Sequence, residues 1–422
     1  TPTNDITYLL DSIVDTIPEP AVEEGNLQLQ ITSLAFSSFT GRIAIGRIKR
    51  GSIKENMQIV LCKRDGTIKK AKIKELMVFE GLGKTKVANA DAGEIVAVSG
   101  LEDFEIGDTI ASIENPEALP TMEIDKPTMS MLFSINNSPF FGREGKHVTS
   151  QKIRERLMLE IQKNLALKVQ DTGSADQFIV HGRGILHLGI LIETMRREGY
   201  ELQLGMPQVI NKTVDGKKHE PIEELTVDVP AATAGKVIEM VTKRKGELLV
   251  MEAKSDLTRL EFEIPSRGLM GLRNNVLTAT AGEAIMAHRL KNYQAYKGDM
   301  ERRISGVLVA KEAGKASTYS MDKLQDRGKF FIEPGQELYG GQVIGEANRP
   351  GDLVVNPCIA KQLNNMRAAG KDDNSALFTP IKFSLEEAME YIGADEYVEV
   401  TPESIRIRKI LLNESDRKRS AK

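Results

Sequence analysis

Apolar residues along the chain change period several times, and each change marks a new kind of element. Over residues 5–17, Ile6, Leu9, Leu10, Ile13, Val14 and Ile17 fall at three- and four-residue steps, the stripe of an amphipathic helix. Asn4 or Asp5 can cap its start, and Pro18 and Pro20 end it, because proline lacks the amide hydrogen a further turn needs. A lone helix of this length is marginal in water, so the stripe predicts packing on a further body. From 26 to 113 the period falls to two. Leu27, Leu29 and Ile31 alternate with polar residues, Ile43, Ile45 and Ile48 follow, and Gly41, Gly46, Gly51, Gly66, Gly93, Gly100 and Gly107 punctuate short runs. Many short strands between glycine turns predict a small β-barrel. Residues 114–126, with Pro116 and Pro120, read as a linker.

Residues 127–210 mix the two periods. Met129, Met131, Phe133 and Ile135 predict a strand. Ile153, Leu157, Ile161 and Leu165 line one face of a helix over 149–167. Phe178, Ile179 and Val180 form a strand, Ile185 to Arg197 a second helix ended by Gly199, and 201–204 a closing strand. This order suits a ferredoxin-like sandwich. Residues 221–297 repeat it: a strand at Leu225–Val229, a helix over 233–245, strands at 248–251 and 260–264, a helix over 268–279 and a strand over 284–290. Residues 303–412 fit neither pattern. Short strands at 306–310, 329–332, 342–346, 396–400 and 404–410 accompany a helix near 384–392, where Ser384 and Glu387 have the spacing of a capping box. The expectation is a multidomain α+β protein. Its parts are a helix and linker (1–24), a β-barrel (25–115), two ferredoxin-like α/β sandwiches (123–210 and 215–298), and a mixed, mostly-β C-terminal domain (303–412). A basic tail at 413–422 is expected to be disordered.

Charge and composition narrow the chemistry. The net charge is −3, so no global basic field draws nucleic acid to the whole body, and any such contact must come from local patches. Cys62 and Cys358 are far apart in sequence and suggest neither a disulfide framework nor a zinc site, which fits a reducing cytosol. No apolar run reaches the ~18–20 residues that cross a bilayer. Gly83-Lys84-Thr85 has the end of a phosphate-loop motif, but Val78 stands where the earlier glycine belongs, and the stretch is β-rich rather than helix-leading. The five histidines make no metal-ligand pair; His187, near a helix start, reads first as a packing residue. No Gly-x-Ser-x-Gly elbow occurs, and the carboxylates are scattered. The residues themselves therefore announce no catalytic centre, metal or cofactor.

Stretches in four regions of the chain carry a resemblance to a known family. Gly41-Arg-Ile-Ala-Ile-Gly46-Arg-Ile-Lys-Arg-Gly51, Ala92-Gly-Glu-Ile-Val-Ala-Val-Ser-Gly100 and Ile106-Gly-Asp-Thr-Ile110 resemble the second domain of translational GTPases. Gly182-Arg-Gly184-Ile-Leu-His-Leu188 is similar to a motif in the third domain of elongation-factor-G-like proteins, with Ile185 where that pattern has Glu. Glu220-Pro-Ile and Ile264-Pro-Ser-Arg-Gly-Leu-Met-Gly271 resemble their fifth domain. Leu324-Gln-Asp-Arg-Gly-Lys329, Asn365-Met-Arg-Ala-Ala-Gly370 and Val398-Glu-Val-Thr-Pro-Glu-Ser-Ile-Arg-Ile-Arg-Lys409 resemble the C-terminal domain of the BipA/TypA family of ribosome-associated translational GTPases. The resemblance implies that the chain is the C-terminal portion of such a factor, that its first helix is the remnant of a GTPase domain, and that GTP and Mg²⁺ belong to that missing domain. It implies no enzymatic activity and no cofactor for this chain. It also implies a cytoplasmic monomer that docks on ribosomal RNA, ribosomal proteins and A-site tRNA, without DNA or membrane partners, in large-subunit assembly and stress or cold adaptation. A protein-interaction scaffold acting off the ribosome is the rival reading.

Cationic stretches are the candidate sites. Between Arg47 and Lys74 stand ten Lys or Arg and two acids, and Lys70, Lys72 and Lys74 share a face if Ile68–Lys74 is one strand. Such a face suits a phosphate backbone, and a solvated barrel surface is the plain alternative. Lys311, Lys315, Lys323, Arg327 and Lys329 are interleaved with small residues, which predicts an extended loop that threads along RNA; the family resemblance aims it at the acceptor end of A-site tRNA. Tyr319 there could stack on a base. Arg367 and Lys371 flank Gly370. Arg406 and Arg408 share a face of the last strand, where rRNA contact competes with pairing to acids such as Asp395 or Glu399. Arg196, Arg197, Lys243, Arg244 and Lys245 end helices, where their charge complements the helix dipole.

Overall fold

The computed structural model describes residues 6–18, 23–37, 39–120, 127–164, 166–254, 256–300, 303, 305–360 and 377–420. They fall into two compact units, one of residues 1–125 with 158–165 and one of 126–157 with 166–422.

The first unit is built on an eight-stranded antiparallel sheet. Its order is Ile68–Lys72, Gln58–Cys62, Thr109–Ala111, Gln28–Ser37, Gly41–Arg50, Ile95–Ser99, Glu75–Glu80 and Gly83–Lys86. Period-two alternation puts Leu29, Ile31, Ile48, Ile59, Leu61, Val96, Val98 and Ile110 in one core with Phe104. Gly46 permits the close pairing of Gln28–Ser37 with Gly41–Arg50, since a Cβ there would collide with the Gln30 carbonyl oxygen. Helix α1 (Thr7–Thr16) forms as the apolar spacing predicts, but none of its residues is buried, and Leu9, Leu10, Ile13 and Val14 lie exposed.

The second unit holds two main sheets, of eleven and five strands. The first has eleven strands: nine along the path Lys168–Asp171, Gln177–Gly182, Met129–Ile135, Leu202–Leu204, Glu396–Val400, Ile405–Lys409, Gln342–Ala347, Val307–Ala310 and Leu353–Val355, with Gln208–Val209 paired to Met129–Ile135 and Gly328–Phe330 to Gln342–Ala347. This sheet runs without a break through two segments that the sequence pattern separates. Leu202 pairs with Val400, Gln203 with Glu399 and Leu204 with Val398. In this unit's part of helix α2 (Ser150–Lys163), Ile153 and Leu157 are buried, as are Leu188 and Ile192 of helix α3 (Ile185–Arg197). Arg156 of α2 makes a two-pronged bond to Glu198, at 2.6 and 3.0 Å.

The five-stranded sheet centres on Lys217–Pro230, with Leu257–Pro265 and then Glu247–Lys254 on one side and Ile285–Ala295 on the other; Lys212–Val214 pairs its start. Helices α4 (Ala231–Lys243), α5 (Ser266–Leu269) and α6 (Leu272–Ala279) accompany it. Val237, Val241, Leu272 and Val276 pack with Leu225, Val227, Leu260 and Phe262. The single helix expected over 268–279 is two helices, because Gly271 enters the left-handed region at φ 67° and breaks the run.

Three further helices complete the unit: α7 (Thr318–Leu324), α8 (Leu385–Tyr391) and α9 (Glu414–Ser420). The capping box at α8 is present: the Glu387 amide donates to Ser384 Oγ at 3.3 Å, and the Ser384 amide to Glu387 Oε2 at 2.8 Å. The tail expected to be disordered instead forms α9, where Glu414–Lys418 and Asp416–Arg419 pair across one turn.

Candidate RNA-interaction surfaces

On the edge strand Ile68–Lys72, antiparallel pairing sets Lys70 opposite Val60 and Lys72 opposite Gln58. Both lysines are exposed, while Ala71 between them packs toward the core. Lys74 does not share the strand, which ends at Lys72. Its backbone amide donates to the Ser99 carbonyl at 2.9 Å, and its stem lies against Gly100, leaving the residue exposed after the strand.

Not every cation of this stretch is available. Lys49 pairs with Glu23 at 3.2 Å, Lys63 with buried Asp108 at 3.0 Å, Arg50 with Glu117, and Lys69 with Asp103. The side chains of Lys54, Arg64, Lys70, Lys72 and Lys74 have no carboxylate within ion-pair distance among the described residues.

The stretch 311–329 is not the extended loop its small residues suggested. Ser317 Oγ accepts the Ser320 amide at 3.1 Å and caps α7, whose Ser320 and Met321 are buried. A 3₁₀ turn (Gln325–Arg327) and a short strand (Gly328–Phe330) follow. Small residues here serve caps and tight packing: a Cβ at Gly328 would strike the Glu346 carbonyl. Lys311, Lys315, Lys323, Arg327 and Lys329 remain exposed, on ordered elements rather than a thread. Lys315 stands 3.7 Å from exposed Glu337. Lys323 lies over the Tyr319 ring, 4.1 Å from its centroid, so one face of that ring is covered.

The last strand pair corrects a second expectation. Arg406 and Arg408 do not form a cationic outer face. The Arg406 side chain is 9% exposed and bonds Glu399, at 3.1 Å, and Glu144. Arg408 is 2% exposed and donates to Asn137 Oδ1 at 2.8 Å and to the carbonyls of Lys409 and Ile410. Lys409 is buried among Asp352 (2.5 Å), Asp395 (2.7 Å) and Glu396 (2.9 Å). The physical cause is the eleven-stranded sheet, which places this pair centrally. Of the two acids that the sequence offered as partners, Glu399 does hold Arg406, whereas Asp395 holds Lys409. Arg367 and Lys371 lie outside the described residues.

Around Glu399 the structure reveals a polar cluster that alternation did not signal. Tyr339 Oη donates to Glu399 Oε2 at 2.6 Å, and Asn136 Nδ2 and Ser138 Oγ donate to Oε1 at 3.0 and 2.9 Å. Asn136 also donates to buried Glu201 at 2.6 Å, and the amides of Gly142 and Gly145 close on the same carboxylate at 3.0 Å each. Burial beside Glu399 pushes the Tyr339 phenol well above its ordinary range. Burial alone would raise Glu144, but the hydrogen bonds of Thr401 and Arg406 outweigh it and hold the carboxyl below the usual range. Glu396 is held low in the same way by Arg303 and Lys409, against its desolvation. This constellation is satisfied internally and offers no open group for chemistry.

The cations that end helices pair locally: Arg196 and exposed Arg197 bond Glu193, exposed Lys243 pairs with Glu239 one turn back, and Arg244 donates to the carbonyls of Gly268 and Met270. Gly83-Lys84-Thr85 is a hairpin strand paired to Glu80–Val78, with the Thr85 hydroxyl on Glu80 at 2.8 Å, and this geometry does not fit a triphosphate or its Mg²⁺. Among the described residues no group of three or more His, Cys, Asp or Glu is placed to hold a metal, and no helix is long and apolar enough to cross a membrane.

Comparison with known proteins adds the family. The description "TypA/BipA C-terminal domain" matches residues 305–414, "Elongation factor G C-terminus" residues 217–304, and "Elongation factor Tu domain 2" residues 41–111. Proteins described as "Large ribosomal subunit assembly factor BipA" are similar throughout. The one from Synechocystis sp. is 49% identical over 96% of this chain and 68% of its own length. Those from Bacillus subtilis and Haemophilus influenzae are 45% and 47% identical over 98% and 99% of this chain, each across 68% of its own length. One solved structure, from Thermus thermophilus, aligns at a TM-score of 0.46 and 16% identity over 69% of this chain and 59% of that one, too distant to carry argument. These matches correct the expectation of a non-enzymatic piece lacking its GTPase domain. Similarity through nearly all of this chain and more than two thirds of each relative does not show such a piece, and the incomplete motif at Gly83-Lys84-Thr85 speaks only for its own hairpin. The chain belongs to the BipA/TypA family of ribosome-related translational GTPases.

Proposed function

We propose that this chain docks on the ribosome as part of large-subunit assembly, using cations displayed on sheet edges and short helices to grip ribosomal RNA. The observation that carries the reading is the set Lys54, Arg64, Lys70, Lys72 and Lys74: side chains without a carboxylate partner among the described residues, on a chain whose net charge is −3. Local positive surface on a body with no general attraction for nucleic acid favours one placed polyanion over indiscriminate binding. The eight-stranded sheet serves as the translation-factor barrel, and the α/β parts of the second unit as ferredoxin-like sandwiches. Exposed Lys311, Lys323, Arg327 and Lys329, carried by ordered elements around α7, form the second cationic platform and take the acceptor end of A-site tRNA. The relatives' description as large-subunit assembly factors supports the ribosomal partner, and cold and stress adaptation follow as conditions in which subunit assembly becomes limiting.

Co-sedimentation of the protein with large ribosomal subunits tests the reading. Binding should fall steeply between about 50 and 200 mM salt. Lys70→Gln with Lys72→Gln and Lys74→Gln should lower the slope of log K on log salt by about 2, since each neutralised phosphate contributes about 0.7–0.9 to that slope. A folded triple variant with unchanged affinity and slope would remove this surface from the account.

A further inference from the structure

The two outer strands of the five-stranded sheet end it differently. On one side Ile285–Ala295 carries His288, Arg289 and Lys291, tied to Glu223 and Glu224 of the adjacent strand and to Glu263 of the strand beyond it. Charged side chains of this kind blunt an open strand edge. On the other side Glu247–Lys254 pairs, among the described residues, with Leu257–Pro265 alone. Its sequence is Glu-Leu-Leu-Val-Met-Glu-Ala-Lys, without Pro or Arg and with its single Lys at the last position. Leu248, Leu249 and Met251 are 39%, 53% and 58% exposed. A bulge falls between Leu248 and Val250, and from Val250 to Lys254 the ladder to Glu261–Leu257 is regular. Alternate residues of that run must therefore turn their N–H and C=O groups away from the sheet.

We propose that Glu247–Lys254 is a docking edge for an extended protein segment in which apolar residues alternate with Lys or Arg, added as a further strand. The backbone supplies the hydrogen bonds and Leu249 and Met251 the apolar contacts. Charge selects the occupant. Glu252 on this strand and Glu261 on the next have no ion-pair partner among the described residues, and Glu247 is exposed although it meets Lys297 at 2.7 Å. A second copy of this chain presents the same Glu247 and Glu252, and any register that sets either carboxylate against its own copy is unfavourable. RNA is repelled by the same carboxylates, so this surface is separate from the cationic ones and its failure leaves them untouched.

The test uses the whole chain and a synthetic peptide of about ten residues alternating Val and Lys, read by fluorescence anisotropy and by amide hydrogen exchange. Binding should slow exchange across residues 248–253. Alternate N-methylation along one peptide edge, replacement of its Lys by Glu, or Met251→Lys in the protein should each weaken binding by about tenfold or more. Leu249→Lys, at an exposed bulge position, repeats the test should Met251→Lys disturb the fold. Three outcomes would overturn the proposal: no binding, binding indifferent to N-methylation, or protection that maps elsewhere. Concentration-dependent self-association abolished by Met251→Lys would also overturn it, assigning the edge to a second copy.

Discussion

Two strands with nearly the same sequence grammar meet opposite fates. Ile68–Lys72 and Ile405–Lys409 are both short and cation-rich, each sets two cations two residues apart on one face, and each invites the same reading of a basic face. The first lies at the end of its sheet with Lys70 and Lys72 in solvent. The second lies inside an eleven-stranded sheet, with Arg408 and Lys409 buried and the Arg406 side chain 9% exposed. Alternation establishes which residues share a face; it does not say what covers that face, because the cover comes from strands distant in sequence. Isolated from water, the second set had to acquire acids, and it did so in Glu144, Glu396 and Glu399.

The contrast breaks most directly at Arg406. Removing one member of a buried ion pair strands the other charge, so Arg406→Ala should lose about 3–5 kcal/mol of stability by chemical denaturation. A loss below about 1 kcal/mol would mean that Glu144 and Glu399 find water instead, and the two strands would differ less than their burial indicates.

A slightly smaller effect sharpens the same point through pH. Glu144 and Glu396 titrate below the usual carboxylate range when folded. A depressed folded pKa contributes stability above the unfolded value, near 4.5, and that contribution is lost as pH falls through the folded value. Glu396→Gln should therefore cost about 3 kcal/mol near neutrality, as its partners Lys409 and Arg303 keep their charge, with the deficit shrinking below about pH 4. Denaturation curves of both proteins across that range decide it, and a deficit independent of pH would place the loss in packing rather than charge. His288 has the opposite sign. Its hydrogen bond to Glu223 raises its pKa above 6.5, so its small contribution is full below that value and fades as pH rises through the folded one.

Much of the fold was legible because local patterns decide it. The α3 limits, the α8 capping box and strands such as Glu396–Val400 follow from apolar spacing and cap chemistry within a dozen residues. What was not legible is non-local. Nothing in Leu202–Leu204 announces pairing with a strand nearly two hundred residues later. The 311–329 stretch misled because Gly and Ser mark both loops and close-packed caps, and only Ser317 Oγ on the Ser320 amide separates the two. The candidate site divided along the same line. Lys70 and Lys72 share a face of an edge strand as their spacing predicts, Lys74 falls beyond its end, the arginines of a central strand are buried, and the acids Glu144 and Glu201 gave no periodic sign of their place in the buried polar network.

The smallest expected change in stability tests the exposed half of the comparison. Lys70 and Lys72 show no ion pair among the described residues, so Lys70→Gln with Lys72→Gln removes solvated charge and little else. Such surface changes move stability within about 0.5 kcal/mol. Relief of repulsion between neighbouring ammonium groups makes a slight gain as natural an outcome as a slight loss, and either should fade as salt screens the strand. A loss above about 1 kcal/mol that persists at high salt would show these lysines holding the sheet together through their aliphatic stems, as buried residues do. Near-neutral stability combined with weakened ribosome binding would instead separate the two roles. Cations that cost nothing to remove from the fold yet matter to a polyanion are the ones this architecture leaves facing outward.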